Sequence, residues 1–207
     1  YYPLSTLMLA GIYDILIIAR PEDKGLFEIL LRDGSHLGLN ISYAVQNEPR
    51  GLADAFIVGE DFIDGHPSAL ILGDNIFEDD FSEDIKNFEK GAKVFAKQVP
   101  DPERFGVVKF DENKKAEQIV EKPQEYISDH ALTGLYVYDS RVVEVAKQVQ
   151  PSERGELEIT DLHNWYMEKG ELEVGMVKGE WLDAGTFDTL LKAQNFAKEK
   201  MQDKLII

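Results

Sequence analysis

The sequence of 207 residues is strongly acidic, with 22 Lys and Arg against 39 Asp and Glu and a net charge of -17. A surface of this charge repels nucleic acid and anionic membranes, so neither is expected as a partner. The chain has no Cys, which excludes disulfides, thiol catalysis and cysteine-ligated zinc, and its four His are scattered.

Length and hydropathy set further limits. A chain of this size can bury a complete core, and we expect a single domain over residues 1–207. No stretch approaches the roughly 18 apolar residues of a membrane span and no signal peptide is indicated, so the cytoplasm is the expected location. The chain starts at Tyr1-Tyr2-Pro3 without Met, directly on a helix signal, and we therefore expect an upstream segment.

The first part of the chain alternates between helix and strand patterns. Apolar spacing with Pro and Gly signals predicts helices over 3–10, 21–32 and 52–62, and strands over 15–19, 41–46 and 69–72. Acids over 78–84 indicate the start of another helix. Such alternation predicts an α/β fold with right-handed crossovers, in which helices cover both faces of a mixed, mostly parallel central sheet.

The rest of the chain predicts a small antiparallel region and then further helices and strands. Strands are predicted over 93–99, 106–110, 119–120, 130–138 and 172–177, with a hairpin connection over 111–115. Helices are predicted over 142–149 and 187–201, and a third has Thr160 as a candidate cap and Gly170 as its stop. Gly134, inside a strand, indicates a bulge or a close approach.

The segment Ala69-Leu70-Ile71-Leu72-Gly73-Asp74 carries the first candidate functional residue. Four apolar residues that enter a glycine predict a strand buried on both faces, and Asp74 then emerges at the strand end where open α/β sheets bind ligands. The alternative is an Asp that only caps the turn. Asp183, before Ala184-Gly185, occupies a similar setting. Two such acids brought together could hold Mg²⁺, which prefers one or two carboxylates plus substrate phosphates.

Five further residues are candidates for ligand contacts. Gln46 ends a strand in a polar turn and could read a small ligand through its amide, while Gly106 would let the backbone approach a ligand. Lys122 offers a cation for phosphate beside Glu121, a hydroxyl acceptor, and Arg154 could clamp a phosphate. The alternatives are turn chemistry for Gln46, an ordinary surface strand end for Glu121 and Lys122, and a salt bridge for Arg154.

An ordered set of short segments resembles the sugar-nucleotide pyrophosphorylases, and closely the glucose-1-phosphate thymidylyltransferases. No single segment is specific, but together they occur in the family's order over nearly the whole chain. The segments are Ser42-Tyr43-Ala44-Val45-Gln46, Gly51-Leu52-Ala53, Leu72-Gly73-Asp74-Asn75-Ile76-Phe77, Asp101-Pro102-Glu103-Arg104-Phe105-Gly106-Val107-Val108, Glu121-Lys122-Pro123, Thr133-Gly134-Leu135-Tyr136, Arg154-Gly155-Glu156-Leu157-Glu158-Ile159-Thr160-Asp161 and Trp181-Leu182-Asp183-Ala184-Gly185-Thr186.

The resemblance implies a Rossmann-like nucleotidyltransferase domain that joins glucose 1-phosphate to dTTP and releases pyrophosphate, for activated deoxysugars such as dTDP-rhamnose. It also implies Mg²⁺ as cofactor and a homo-oligomer, a dimer or a tetramer. The implied roles are metal binding for Asp74 and Asp183, pyrimidine reading for Gln46 and Gly51, contacts around glucose for Gly106, Glu121 and Tyr136, phosphate contacts for Lys122 and Arg154, and a backbone contact to the sugar nucleotide for Leu132.

Two departures from the family pattern shape the expectations. The family begins with a glycine-rich loop containing a Gly-Thr-Arg element, followed by a Lys, that grips the triphosphate, and this sequence starts just beyond it. A polypeptide beginning at Tyr1 is therefore expected to have little or no turnover. The acidic segment Phe77-Glu78-Asp79-Asp80-Phe81 replaces a longer turn that forms a feedback site in many relatives, so we expect that site to be weakened or absent. Asp79 or Asp80 could also tune a metal at Asp74.

Rival interpretations remain open. Within the same fold, base choice depends on few contacts, so a uridylyl- or cytidylyltransferase is the nearest alternative. A metal-dependent glycosyltransferase is disfavoured because the usual Asp-x-Asp does not follow the core strand. The alternative from another class is a non-catalytic homologue that binds a sugar nucleotide.

Overall fold

A computed structural model describes residues 1–196, 198 and 199. The helices are α1 (Tyr2–Leu9), α2 (Pro21–Leu31), α3 (Asp54–Val58), α4 (Glu60–Ile63), α5 (Ser82–Lys86), α6 (Val142–Ala146), α7 (Ile159–Glu168) and α8 (Phe187–Phe196). The strands are β1 (Asp14–Ala19), β2 (Asn40–Val45), β3 (Ser68–Ile71), β4 (Asn75–Phe77), β5 (Ala92–Gln98), β6 (Gly106–Phe110), β7 (Ala116–Glu121), β8 (His130–Tyr138), β9 (Leu172–Met176) and β10 (Trp181–Asp183). Single 3₁₀ turns cover Ser35–Leu37 and Pro102–Arg104.

The α/β class and the mixed sheet are confirmed, but parallel pairs do not dominate. Among the described residues, β1 pairs with β2 and β5 with β9 in parallel, whereas the other five strand pairs are antiparallel. The expectation of a mostly parallel sheet was wrong because the long strand β8 runs against β3, β5 and β6 at the centre of the main sheet.

The central strands β5 and β8 bury side chains on both faces of the sheet. Along β5, Val94 and Ala96 belong to a large core that includes residues of α3, α6 and α7, whereas Phe95 belongs to a second core beside α5. Strand side chains alternate between faces, so the sheet is covered on both sides. A third core joins α1 to β1 and β2.

The strand that precedes Asp74 is less buried than expected. All four residues of β3 are only half-buried, because within the described chain β3 pairs with β8 alone and lies at an edge. The fully buried strand is β8, whose pattern is buried from Ala131 to Tyr138.

Several local predictions are corrected by the structure. The predicted helix over 52–62 is divided at Gly59 into α3 and α4, and the acids before α5 lie outside the helix, which starts at Ser82. Thr160 is not a cap but a buried residue of α7, whose N-cap position is Glu158. The last residues of the predicted helix over 187–201 lie partly outside the described residues.

Candidate active site

The main sheet forks along one edge of β8, and this fork creates a crevice. One edge of β8 pairs with β5, and the other edge is forked. The pairing with β5 shifts register between Val94 and Ala96, so residues 133–135 of β8 have no regular partner on β5. On the forked edge, β6 pairs at Ala131, while β3 pairs from Leu135 onward. The stretch of β8 between these two partners therefore faces the gap between β3 and β6 rather than a continuous strand.

The turn after β3 closes one side of the fork. Leu72 donates its backbone N–H to the carbonyl of Gly134 at 2.9 Å, and Gly134 donates its own N–H to Asn75 Oδ1 at 2.9 Å. A Cβ on Gly134 would lie only 2.7 Å from Asn75 Cγ, so no side chain fits between the strand and the turn. The close approach predicted for Gly134 is confirmed.

Asp74 and Asp183 meet at one end of the fork. Asp74 precedes β4 and Asp183 ends β10, which pairs antiparallel with β4 so that Asn75 lies opposite Asp183. Ala184 donates its N–H to the carbonyl of Asp74 at 2.8 Å. A Cβ built on Gly185 would lie 2.9 Å from Asp183 Oδ1 and 3.5 Å from Asp74 Oδ2. The two carboxylates thus flank one point, although 109 positions separate them in the sequence.

The carboxylates of Asp74 and Asp183 repel each other electrostatically. Burial raises the pKa of the Asp183 carboxyl, and the neighbouring charge of Asp74 raises it further, against the opposing effect of a hydrogen bond from the Gly185 N–H. Arg104 Nη2 is 3.9 Å from Asp183 Oδ2 but is held mainly by Asp101, at 2.7 Å. A half-buried carboxylate beside an exposed one, with the nearest guanidinium nitrogen 3.9 Å away, is a donor set that suits a divalent metal ion.

The protein side of such a metal site would consist of the two acids alone. No group of three or more His, Asp or Glu within the described part of the chain could hold a metal. This is compatible with Mg²⁺, which commonly takes one or two carboxylates and completes its shell with water and phosphate oxygens. Asp79 is not available to tune such a site, because its carboxylate accepts the backbone N–H groups of Lys178 at 2.7 Å and Gly179 at 2.6 Å.

Lys122 lies beside the fork in a strained conformation. It follows β7 with φ +42°, in the left-handed region that non-glycine residues seldom adopt, and its N–H bonds the Phe105 carbonyl at 2.9 Å. Its half-exposed ammonium is 3.9 Å from Glu121 Oε1. Backbone strain of this kind persists where the surrounding structure fixes it, and it often occurs at functional sites.

Gly106 keeps the wall of the crevice open. It lies opposite Glu121 in the β6–β7 ladder, and a Cβ at this position would lie 2.9 Å from Thr160 Cγ2 and 3.2 Å from Glu121 Oε2. Burial, and secondly the charge of Glu158, raise the pKa of Glu121, while the charge of Lys122 lowers it. Leu132 and Tyr136 are buried below, on β8.

The crevice has a volume of about 180 Å³ and collects seven of the ten predicted site residues. These are Asp74, Gly106, Glu121, Lys122, Leu132, Tyr136 and Asp183. Asp74 also lines a second cavity of about 530 Å³, between α1 and α8, so its carboxylate lies at the boundary between two spaces.

Gln46, Gly51 and Arg154 do not line the crevice. Gln46 donates from Nε2 to the Gly51 carbonyl at 3.1 Å and to Asp54 Oδ2 at 2.9 Å, so both amide hydrogens are used within the turn. Gly51 has φ +103° and packs so closely on the backbone of Leu157 that no side chain fits. The neighbouring Leu52 does line the crevice.

Arg154 forms the salt bridge that was its alternative interpretation. Its Nη2 lies 2.8 Å from Glu156 Oε2 and 3.0 Å from Glu158 Oε2, and its Nε bonds Glu158 Oε1 at 3.1 Å. A phosphate contact would require this guanidinium to exchange at least one carboxylate.

Sequence reasoning missed the residues that hold the acids in place. Asn75 is buried and links three strands, because Oδ1 accepts from Gly134 N and from Trp181 Nε1 at 2.6 Å while Nδ2 donates to Asp74 Oδ1 at 2.9 Å. Its position directly after Asp74 was the available signal. Arg104, Thr160 and His163 also line the crevice.

A forked α/β sheet with paired acids at one end and a lysine beside them has the donor groups that a site for phosphorylated ligands needs. The family model described as nucleotidyl transferase matches residues 1–200. The chain therefore belongs to the nucleotidyl transferase family.

Individual relatives are similar over almost the whole chain. A glucose-1-phosphate thymidylyltransferase of Neisseria meningitidis is 55% identical over 204 residues, covering 96% of this chain and 71% of the relative. One from Mycolicibacterium smegmatis is 47% identical, covering 96% and 70%. The resemblance inferred from the motifs is thus confirmed.

Solved structures agree with the fold. A crystal structure described as a glucose-1-phosphate thymidylyltransferase from Bacillus anthracis, in complex with a sucrose, has a TM-score of 0.89 and 42% identity and covers 96% of this chain and 82% of that one. A UDP-glucose pyrophosphorylase complexed with UDP-glucose has a TM-score of 0.83 at 22% identity, a likeness that concerns the fold alone. No helix among the described residues is long and apolar enough to cross a membrane.

Proposed function

We propose that this nucleotidyltransferase joins glucose 1-phosphate to dTTP, giving dTDP-glucose and pyrophosphate. The observation that carries the proposal is the crevice at the fork of the sheet, where Asp74 and Asp183 adjoin a wall built by Gly106, Glu121 and Lys122. The choice of substrates is supported by relatives of 42–55% identity that are named for this reaction.

The chain's own residues suit the sugar phosphate. Glu121 offers a half-buried carboxylate that can accept hydrogen bonds from sugar hydroxyls, and the bare backbone at Gly106 lets the ring approach the wall. We propose that the ammonium of Lys122 holds the sugar phosphate, whose oxygen attacks the α-phosphorus of the nucleotide with pyrophosphate as the leaving group. Such a phosphate is already ionised at neutral pH, so no general base is needed, and positioning and charge neutralisation carry the catalysis.

We also propose Mg²⁺ as the cofactor, held by Asp74 and Asp183. When bound, the ion would neutralise charge on the nucleotide phosphates and relieve the repulsion between the two carboxylates. Asn75 holds Asp74 by a hydrogen bond to Oδ1, so the acid presents its other oxygen toward Gly185 and Asp183.

The nucleotide base is proposed to lie near the turn of Gln46 and Gly51. Because both amide hydrogens of Gln46 are engaged in this turn, its contribution to base reading would come from the carbonyl oxygen Oε1, as an acceptor. A pyrimidine N–H group is the matching donor. This contact does not distinguish thymine from uracil, and the preference for dTTP is supported by the named relatives.

The wider setting is proposed on the same basis. We propose a cytoplasmic enzyme, assembled as a homodimer or homotetramer, that supplies activated glucose for deoxysugars such as dTDP-rhamnose and thereby for polysaccharides. Its partners would be small molecules, with no nucleic acid or membrane surface among them, in keeping with the net charge of -17.

A pyrophosphate-release assay tests the proposal. The complete gene product is given glucose 1-phosphate with dTTP, UTP or CTP, and Asp74→Asn is the variant expected to be impaired. Asp80→Asn is the matched control, since Asp80 lies outside the crevice and its Oδ1 accepts the N–H of Ser82 at 2.8 Å. The proposal expects the highest kcat/KM with dTTP and a loss of about 100-fold in Asp74→Asn. No release with any of the three nucleotides would contradict it.

A further inference from the structure

His163 is a buried titratable group that the proposed chemistry leaves unused. It lies on α7, lines the crevice and has no exposed surface. Its Nε2 is 2.7 Å from the hydroxyl of Tyr138. Its Nδ1 is also buried, and among the described residues it has no hydrogen-bond partner. The ring thus has one nitrogen committed to the core and one without a partner.

The unpartnered nitrogen requires an explanation because buried polar atoms are almost always hydrogen-bonded. Burial lowers the pKa of His163 to about 3, so the ring is neutral at physiological pH and carries a single N–H. If Tyr138 donates to Nε2, then Nδ1 is a donor, and if Tyr138 accepts, then Nδ1 is an acceptor. Either tautomer leaves a hydrogen-bonding requirement unmet.

The surroundings of the ring place it with the sugar end of the crevice. Its centroid is 5.0 Å from that of Tyr136, which lines the crevice. Thr160 lies one turn earlier on the same helix, also lines the crevice, and contacts the space beside Gly106. A ligand hydroxyl both donates and accepts, so it satisfies Nδ1 in either tautomer, whereas a phosphate oxygen can only accept.

We propose that His163 Nδ1 hydrogen-bonds a hydroxyl group of the hexose in the crevice, directly or through one water, and is a specificity-determining residue for the sugar. This inference rests on the proposed function. The two ring nitrogens then have different partners: Nε2 hydrogen-bonds Tyr138 in the core, and Nδ1 hydrogen-bonds the sugar hydroxyl.

Two substitutions separate these tasks. The amide of Asn reaches the position of Nδ1, whereas the longer Gln reaches that of Nε2. His163→Asn therefore keeps a polar group at the position of Nδ1 and loses the Tyr138 bond, while His163→Gln keeps the Tyr138 bond and has no polar group at the position of Nδ1. A merely structural role for His163 predicts that the Gln variant behaves like the parent protein.

The readout is a ratio that does not depend on how much of a variant is folded. For the complete gene product, kcat/KM is measured with glucose 1-phosphate and with its 2-, 3-, 4- and 6-deoxy analogues. For one of these analogues, kcat/KM should be well below that for glucose 1-phosphate in the parent protein and in His163→Asn. In His163→Gln the ratio of the two kcat/KM values should be about tenfold smaller. Discrimination against all four analogues that is unchanged in His163→Gln would overturn the inference.

A measurement on the unaltered protein covers the case in which the variants do not fold. In ¹⁵N spectra the His163 ring should stay neutral between pH 8 and 5, because burial lowers its pKa to about 3. Its Nδ1 resonance should shift when glucose 1-phosphate is added, and an unchanged Nδ1 resonance at saturation would refute the contact. If the parent protein turns over no sugar phosphate at all, the proposed function fails. If the parent protein turns over glucose 1-phosphate but the Nδ1 resonance of His163 is unaffected, only the inference about His163 fails.

Discussion

Glu121 is a carboxylate whose charged form the fold disfavours. Its side chain is 21% exposed, and its pKa is raised by burial and by the negative charge of Glu158, more than Lys122 and Arg154 lower it. A carboxylate that accepts hydrogen bonds from a ligand is often destabilised in this way, because the fold keeps its charge partly buried at the position where the ligand binds. Stability is reduced in return.

Replacing Glu121 by Gln should stabilise the protein at neutral pH while weakening sugar binding. A carboxyl whose pKa is higher in the folded than in the unfolded state, where it is about 4.3, binds its proton more tightly when folded. Between the pKa of the unfolded state and the higher pKa of the folded state, the parent therefore loses stability as the pH rises. The Gln variant has no carboxyl at this position and does not lose stability in this way. Thermal melting at pH 7.5 should give the higher melting temperature for the variant, with a difference that shrinks below about pH 4.

The control for this prediction is Glu117→Gln, on the same strand but about half exposed and paired with Lys109 at 3.0 Å. It should leave the melting temperature nearly unchanged. A lower melting temperature for Glu121→Gln than for the parent at pH 7.5 would contradict the account of this residue.

Lys122 should show the same opposition between stability and activity through its backbone. Its φ of +42° is strained for a residue with a Cβ, and Gly adopts this region without strain. In chemical denaturation, the free energy of unfolding of Lys122→Gly should therefore equal that of the parent or exceed it by up to about 1 kcal/mol. The KM of this variant for glucose 1-phosphate should nevertheless rise. Lys122→Met, which removes only the charge, should raise KM with no gain in stability. Equal stability losses in both variants would show that the backbone there is not strained.

The residues that carry charge could be predicted from the sequence, whereas their supports could not. Asp74 and Asp183 follow short apolar segments, a pattern that places acids at strand ends. Asn75 and Trp181 hydrogen-bond across 106 positions through the pairing of β4 with β10, and nothing local in the sequence indicates that pairing. No separate role was therefore predicted for Asn75, although it belongs to one of the segments that carry the family resemblance.

At the scale of elements, the crevice depends on how closely the turn after β3 approaches β8. Gly134 makes this approach possible, since a Cβ there would lie 2.7 Å from Asn75 Oδ1 and 2.8 Å from Leu72 Cδ1. The sequence predicted most of the longer helices and strands, because their spacing and Gly or Pro limits are local, but the short strands β4 and β10 were not predicted. The burial of β3 was mispredicted because an apolar run does not show whether one or two neighbours flank the strand.

Gly134→Ala should push the turn away from β8 and disturb both stability and activity. Overpacking of this kind costs about 1–3 kcal/mol, and the shift of Asn75 would move Asp74, so kcat should also fall. Gly25→Ala on the exposed face of α2 is the control. Nothing lies within 4 Å of its new Cβ, and a helical Ala should stabilise by about 0.5–1 kcal/mol. Chemical denaturation of both variants checks the pair, and a neutral Gly134→Ala would contradict the close approach.

At the scale of the whole molecule, the excess of 17 negative charges opposes compaction. The ion pairs of the buried Lys93 with Asp84 and Glu173 offset this repulsion locally, whereas fully exposed pairs elsewhere contribute little each. The sequence alone gives this charge, and with it the expectation that anionic substrates need locally placed cations.

Salt should therefore stabilise the protein at neutral pH. Raising KCl from about 20 to 200 mM shortens the Debye length to below roughly 10 Å and screens the repulsion, so the melting temperature at pH 7.5 should rise. Near the sequence pI of 4.6 the same addition should have little effect or lower the melting temperature, since attraction between opposite charges is then screened. A fall with salt at pH 7.5 would mean that local pairs outweigh the net charge.

We propose that Asp74 and Asp183 share one divalent ion during nucleotidyl transfer. These 207 residues contain no Cys, so Asp74→Cys and Asp183→Cys each introduce a thiolate, which prefers softer metals, with Asp80→Cys as the control outside the crevice. The measurement is the ratio of pyrophosphate release in Cd²⁺ to that in Mg²⁺ for the complete gene product. This ratio should be at least about tenfold above the parent's for both crevice variants, and it should be unchanged for Asp80→Cys. A parent-like ratio in either crevice variant would contradict a shared metal ion.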